Sequence, residues 1–265
     1  MKEPLSRQEQ YLSRQHKNKR RIFCMRILIF IAFFALWEIA ADLGWIDDFI
    51  FSSPSRMFRC MFSMAADGSL YGHLSITLSE TIVSFLLVIG FTLLITILLW
   101  ISPSVSKTVE PYLVVLNSLP KSALAPLLIV WLGGNYKTII VTGMSVAIFG
   151  SILSLYTDFM EVSSEKLKLI ETLGGTRKDI LCKILIPANI PSLLSIMKVD
   201  IGLCLVGVII GEFIASRKGL GFLIIYGSQV FKLDWVLMSI IILCLIAIGL
   251  YVLIHGVEKW YVKRL

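Results

Sequence analysis

Runs of close to 20 apolar residues recur along this chain, separated by shorter polar stretches. A helix needs about 20 such residues to cross the hydrocarbon core of a bilayer. The pattern predicts six spans, at about 27–46, 77–101, 111–132, 138–157, 190–214 and 235–255. Ile27–Trp37 alone would suit a secretion-signal core, but no small-residue cleavage site follows. Glu38-Ile39-Ala40-Ala41-Asp42 carries the helix on, so the first span reads as uncleaved. Glu38 and Asp42 share a face, and that face is expected to turn inward, since a charge facing lipid costs about 2.5–3.5 kcal/mol.

The third span is interrupted by Pro120 and Pro126 and holds Asn117, Ser118 and Lys121. Broken helices at membrane depth occur where they are buried in protein or line a watery cavity. Asn117, Ser118 and Lys121 are therefore candidate pathway residues, and Glu212, near the end of span five, is a fourth. A kinked packing helix whose Lys121 snorkels to the interface explains the same pattern. Gly207 and Gly211 form a GxxxG, which permits close helix approach. Gly219 and Gly221 lack the third glycine and the preceding strand of a dinucleotide fingerprint. Between spans, residues 47–72 form an outer loop in which Ser55–Ala66 reads as an interfacial helix with Met57, Phe58, Met61 and Phe62 on its apolar side. Ser102–Glu110 reads as a short inner turn and 215–234 as an outer loop.

The longest charged interruption runs from Ser163 to Pro191. Leu167, Ile170 and Leu173 recur at a spacing of three and mark one face of a short amphipathic helix. Gly174 and Gly175 supply the left-handed residue that ends such a helix. Thr176 followed by Asp179 has the form of a capping box, which predicts a second helix through Ile180, Leu181, Ile184 and Leu185 toward Pro187 and Pro191. Two short helices hinged at a glycine pair would make a docking knob; an ordinary loop between membrane helices is the plainer alternative.

Composition agrees with a polytopic all-α membrane protein: 57% of the 265 residues are hydrophobic, and the mean hydropathy is +0.83, against roughly 45–50% apolar residues in soluble domains. The net charge of +7 is unevenly placed, with eight of 25 Lys and Arg in the first 26 residues. That segment reads as a mobile basic arm beside the membrane, able to touch anionic lipid. The segments assigned inside (1–26, 102–110, 158–187, 256–265) hold 17 Lys and Arg, those assigned outside hold 6, and Lys121 and Lys198 lie within spans. The asymmetry predicts both termini and the Ser163–Pro191 stretch in the cytoplasm. No aromatic platform or nucleic-acid motif accompanies the basic arm, so nucleic-acid binding is not expected. Cys24, Cys60, Cys182, Cys204 and Cys244, like the three histidines, are scattered without metal-ligand spacing.

The chain has no GxxxxGK[ST], GxSxG or HExxH motif. Catalysis is not expected, no cofactor is expected to bind directly, and any ATP-driven step requires another polypeptide. Glu38, Lys121, Lys198, Asp200 and Glu212 fall at different depths, and pairing or interfacial placement accounts for each more simply than catalysis. A proton- or sodium-coupled transporter using Glu38, Asp42 or Glu212, and a membrane scaffold without solute flux, are the rival readings.

Gly174, nine residues, Ile184, one residue, then Ile186 and Pro187 resembles the EAA loop of ATP-binding-cassette (ABC) importer permeases. The family's Glu-Ala-Ala falls on Lys168, Leu169 and Ile170, and its usual Leu on Ile186. Leu119-Pro120-Lys121, Trp131-Leu132-Gly133, Gly211-Glu212-Phe213, Gly219-Leu220-Gly221-Phe222 and Ser228-Gln229 resemble the branch handling nitrate, sulfonates and taurine, with related members carrying thiamine precursors and other heterocycles. The resemblance covers roughly residues 28 to 262. It implies a type I importer permease with six transmembrane helices: a basic arm (1–26), a first helix (27–46), an outer loop (47–72), a transmembrane domain (73–257) and a cytoplasmic tail (258–265). It implies a coupling loop at 163–187 through which Glu165, Leu167, Ile170, Glu171, Gly174, Gly175, Ile184 and Pro187 serve a separate ATPase present in two copies. A second permease copy and an extracytoplasmic solute-binding protein would complete the system in the cell membrane. ATP would be hydrolysed by the partner.

Overall fold

The computed structural model describes residues 7–47 and 51–263, with side chains at Asn18 and, within those ranges, from residue 21 onward. Its regular elements are all helices. Helix α1 spans Arg7–Asp42. The arm expected to be mobile is therefore helical from Arg7 and continuous with the first span, while residues 1–6 lie outside the described residues. Residues 7–26 contain neither Gly nor Pro and are rich in Arg, Gln and Lys, all good helix formers. The helix stops at Asp42, short of the expected residue 46, and Gly44 follows with φ 69°.

Helix α2, Pro54–Ala66, starts at an N-cap Ser53 whose side chain accepts the Arg56 N–H, and proline suits its first turn. Its buried side carries Met57 and Met64, with Cys60, Met61 and Ala65 packed alongside. Phe58 and Phe62 are exposed, so the apolar side expected through Met57, Phe58, Met61 and Phe62 is rotated toward the methionines. The cause is tertiary: α2 packs on the first and last helices of the transmembrane body, α3 and α11, defined below.

Helix α3 runs from Ser69 to Ile101. Only Ser102 separates it from α4, Pro103–Ser118, so the inner turn expected over 102–110 is helical from Pro103 onward. Helix α5, Lys121–Leu132, leaves α4 at a bend of 100°. Of the two prolines expected to interrupt this span, Pro120 breaks it and Pro126 lies inside α5. The residue before a proline is pushed to extended backbone, and Leu119 sits there with ψ 139°. Helix α6, Tyr136–Glu161, is capped by Asn135, whose side chain accepts the N–H groups of Lys137 and Thr138.

Helix α7 covers Ser164–Thr172. Helix α8, Arg177–Ile180, a π-turn over Leu181–Leu185 and α9, Ile186–Ala215, form one rod of 39 residues. The second short helix expected in the knob is thus the opening of the fifth span, which does not turn at Pro187. A proline ring inside a helix collides with the carbonyl four residues back; the wider π-turn just before Pro187 opens that spacing. Helix α10, Leu220–Gln229, occupies most of the stretch expected as the loop 215–234. Helix α11 is Leu233–Val262. Among the described residues five helices are long and apolar enough to cross a membrane, and the bent α4–α5 pair makes six.

The body is organised around α6, with α3 and α9 against it. A Cβ on Gly207 would lie 2.8 Å from the Cα of Gly143, and one on Gly211 would lie 3.1 Å from the Cα of Ile139. The GxxxG therefore brings α9 backbone to backbone with α6. Thr77, Thr81, Ser84, Val88, Thr92, Thr96 and Leu99 on α3 are all buried, at the three-to-four spacing of one helix face. Small polar side chains thus line the interior while larger apolar ones face outward, the arrangement that favours helix association in lipid.

Candidate functional site

The knob opens on α7, which Ser164–Thr172 form without a side-chain cap. Leu167 and Ile170 pack on a cluster of Leu155, Phe159, Ile180 and Leu185. Leu173, expected on the same face, is 75% exposed, and Leu169 is 58% exposed. The reason is that the helix ends at Thr172: Leu173 is its C-cap and swings outward with Leu169. Gly174 takes φ +79°, and a Cβ on Gly175 would collide with the Ile170 side chain. The Gly175 N–H donates to the Ile170 carbonyl at 2.8 Å. One glycine supplies the left-handed turn and the other the clearance. The capping box is present: Thr176 accepts the Asp179 N–H, and Asp179 accepts the Thr176 N–H at 2.9 Å. Asp179 also pairs with Lys183 at 2.7 Å. Glu165 and Glu171 are exposed on α7, whereas Ile184 and Pro187 lie on the rod beyond it.

Half-way along the body the α4–α5 break creates a second feature. The Lys121 ammonium donates to the carbonyls of Leu116 (2.6 Å) and Asn117 (3.0 Å). A cation at a helix C-terminus satisfies carbonyls that have no intrahelical partner. Its charge is also 5.3 Å from the centre of the Phe149 ring. Ser118 turns back on its own helix and donates to the Val114 carbonyl. Asn117 instead faces a pocket of about 210 Å³ with Gly150, Ser151, Ser154 and Asp200. Ser151 donates to Asp200 at 2.5 Å. Of the four expected pathway residues, Asn117 lines this pocket, and Lys121 and Ser118 serve the break.

Glu212 lies toward the other end of α9 and is fully buried. It accepts the Thr77 hydroxyl at 2.7 Å and the Gly221 N–H at 2.5 Å. Thr77 accepts the Leu220 N–H at 2.8 Å, and His73 Nδ1 accepts the Gly219 N–H at 3.0 Å. A Cβ on Gly219 would overlap the Glu212 carboxylate, and one on Gly221 would come within 2.8 Å of its Oε2. The glycine pair therefore brings the start of α10 onto a carboxylate, which suits the unpaired N–H groups there. Glu80 lies against Glu212. Sequence reasoning passed over His73, Thr77 and Glu80; their signal was the polar stripe on one face of α3. Glu38 sits elsewhere, accepting the Ser55 N–H at 2.9 Å, and Asp42 is exposed. The three acids of the ion-coupled reading are not brought together. Lys198 is paired with Glu258, both contacts at 2.8 Å.

Residues 89–265 match the family model described as binding-protein-dependent transport system inner membrane component. The chain belongs to this family. As an inner membrane component it is a transport subunit, consistent with the absence of a P-loop from its sequence. Over 225 residues it is 28% identical to a probable ABC transporter permease protein of Haemophilus influenzae, covering 85% of this chain and 91% of that one. Over 234 residues it is 24% identical to the putative aliphatic sulfonates transport permease SsuC of Bacillus subtilis, covering 88% and 85%. Its fold is similar to that of a permease chain in the inward-facing MetNI methionine ABC transporter, with a TM-score of 0.63 at 18% identity, covering 72% of this chain and 94% of that one. The type I importer permease fold and the assignment as an ABC permease subunit follow; the ion-coupled alternative is not favoured.

Proposed function

We propose that this permease carries a small organic solute, within the range of sulfonates, taurine and related heterocycles, and is driven by a separate ATPase seated on α7. The observation that carries this reading is the outward pair Leu169 and Leu173, set at the end of a 39-residue rod. Exposed leucines four apart form an apolar helix face that fits a partner's hydrophobic groove. A displacement of α7 is passed through the capping box into the rod, and so to Asp200 half-way along α9 and Glu212 at its far end.

In this reading the knob and both chain termini face the cytoplasm, and a solute-binding protein docks at the opposite end. Two permease copies and two ATPases form the working unit, and ATP is hydrolysed by the partner. Glu165 and Glu171 flank the leucines and add polar contacts. The test is purification of the tagged chain from its native membrane in mild detergent, with quantification of what accompanies it. One P-loop ATPase per permease copy supports the reading. Recovery of the chain alone, with uptake that collapses on adding an uncoupler, overturns it.

A further inference from the structure

The pocket between α4, α6 and α9 is lined by three polar side chains with spare hydrogen-bonding capacity. Asp200 is 3% exposed; Ser151 occupies its Oδ1, and Oδ2 has no protein donor among the described residues. The side chains of Asn117 and Ser154 also line the pocket, without a protein partner among the described residues. A carboxylate is an acceptor at both oxygens, and Asp200 lines the pocket with one of them free to meet a donor there. Neither nearby lysine neutralises this acid. Lys121 is spent on the carbonyls of Leu116 and Asn117, and Lys198 on Glu258. Of the other charged and titratable groups on these helices, Asp158 accepts Ser192, Cys204 is fully buried beyond Asp200, and Lys107, Glu110, Lys137 and Glu161 lie outside the pocket lining. The pocket therefore presents one carboxylate without a cation beside it, flanked by two side chains that can both accept and donate.

We propose that this pocket is a subsite for the nitrogen-bearing end of the transported solute, an ammonium or a protonated or N–H-donating ring nitrogen, with Asp200 Oδ2 as acceptor and Asn117 and Ser154 beside it. At about 210 Å³ it is smaller than the roughly 300–1,000 Å³ of a whole-ligand pocket, so it holds one end of a solute. The inference rests on the permease reading and narrows it: amine-bearing zwitterions and nitrogen heterocycles are favoured, and a simple anion such as nitrate is opposed by Asp200.

The wall's charge can be read without knowing the solute. Ser154→Cys places a thiol on the pocket, and its modification in native-membrane vesicles is timed with 2-aminoethyl methanethiosulfonate, a cation, and 2-sulfonatoethyl methanethiosulfonate, an anion. Rates are normalised to a free thiol, and the unsubstituted chain supplies the background from its own cysteines. A unit charge about 6 Å away in a water-filled pocket attracts one reagent and repels the other, which favours the cation on the order of tenfold. Asp200→Asn in the Ser154→Cys background should bring the normalised ratio close to one, and Asp200→Glu should keep it. Equal rates, a faster anion, or no modification by either reagent would overturn the proposal. Should Asp200→Asn fail to insert, the Ser154→Cys ratio and Asp200→Glu still decide it. Co-purification of the ATPase is scored on the same vesicles, so loss of the charge preference with the ATPase still bound refutes this inference alone.

Discussion

Glu212 accepts the backbone N–H of Gly221 at 2.5 Å, tying the end of α9 to the beginning of α10 across the short connection 216–219. The same carboxylate takes the Thr77 hydroxyl, so three helices meet on one buried side chain. Replacing Glu212 by Ala strands these donors, each at about 1–3 kcal/mol. The expected outcome is a clear fall in the thermal unfolding midpoint of the detergent-purified protein. Glu212→Gln keeps one acceptor oxygen and should fall less. Equal midpoints for Ala and wild type would show that the clasp carries no stability.

Gly219 has φ +113°, and a Cβ there meets the Glu212 carboxylate. Gly219→Ala combines backbone strain of about 1–3 kcal/mol with displacement of the clasp. A midpoint lowered at least as far as by Glu212→Gln is expected. An Ala variant as stable as wild type would mean the turn relaxes freely.

At the α6–α9 contact a Cβ on Gly207 is 2.8 Å from the Cα of Gly143 and 2.9 Å from the Thr142 carbonyl. Backbone cannot yield as a side-chain tip does. Gly207→Ala is expected to cost about 1–3 kcal/mol through overpacking, and Gly207→Leu to prevent accumulation in the membrane. Quantitative immunoblotting of membranes checks the second, thermal unfolding the first.

Leu169 and Leu173 are exposed, so Leu169→Asp with Leu173→Asp should leave the unfolding midpoint of the isolated permease unchanged. If they anchor the ATPase, losing a hot spot of about 2 kcal/mol or more weakens association at least about 30-fold, measured by titrating the purified ATPase. Gly174→Pro tests the same surface through its backbone, because proline is held near φ −65° where the turn needs +79°. Membrane insertion should persist while ATPase association is lost; an unchanged pull-down would count against the coupling role of α7.

Lys121 donates to two carbonyls at the end of α4. Lys121→Met removes a charged donor, and hydrogen bonds to charged groups contribute about 1.5–3 kcal/mol, less here because the side chain is partly exposed. A modest fall in the unfolding midpoint is expected. If Lys121 instead drew anions along the pathway, the same variant would lower the rate of sulfonate-reagent labelling at Ser154→Cys and leave stability intact.

Much of the fold was legible because its signals act over a few residues. Thr176 and Asp179 form a capping box wherever the chain can turn there, and Gly174 ends α7 because left-handed backbone excludes larger residues. Errors arose where neighbours in space overrule such signals. Leu173 fits a three-residue repeat yet swings outward once the helix stops at Thr172. Pro187 resembles a terminator, but the π-turn before it lets the rod continue. Phe58 and Phe62 outrank the methionines, Cys60 and Ala65 in hydrophobicity, yet α2 turns Met57, Met64 and the residues beside them toward α3 and α11.

By itself the sequence determined that the chain crosses a membrane several times, that prolines interrupt its third span, and that a charged, capped stretch separates the apolar runs. Hydropathy and backbone sterics are local properties, carried by each segment wherever it goes. Only the tertiary structure decided which polar groups meet. Thr77 and Glu212 are 135 residues apart, and Ser151 and Asp200 are separated by 49. Their contacts depend on how each helix is rotated about its axis, which the glycines of α6 and α9 set by letting two backbones touch. Helix rotation is a property of the packed bundle, and no single segment encodes it.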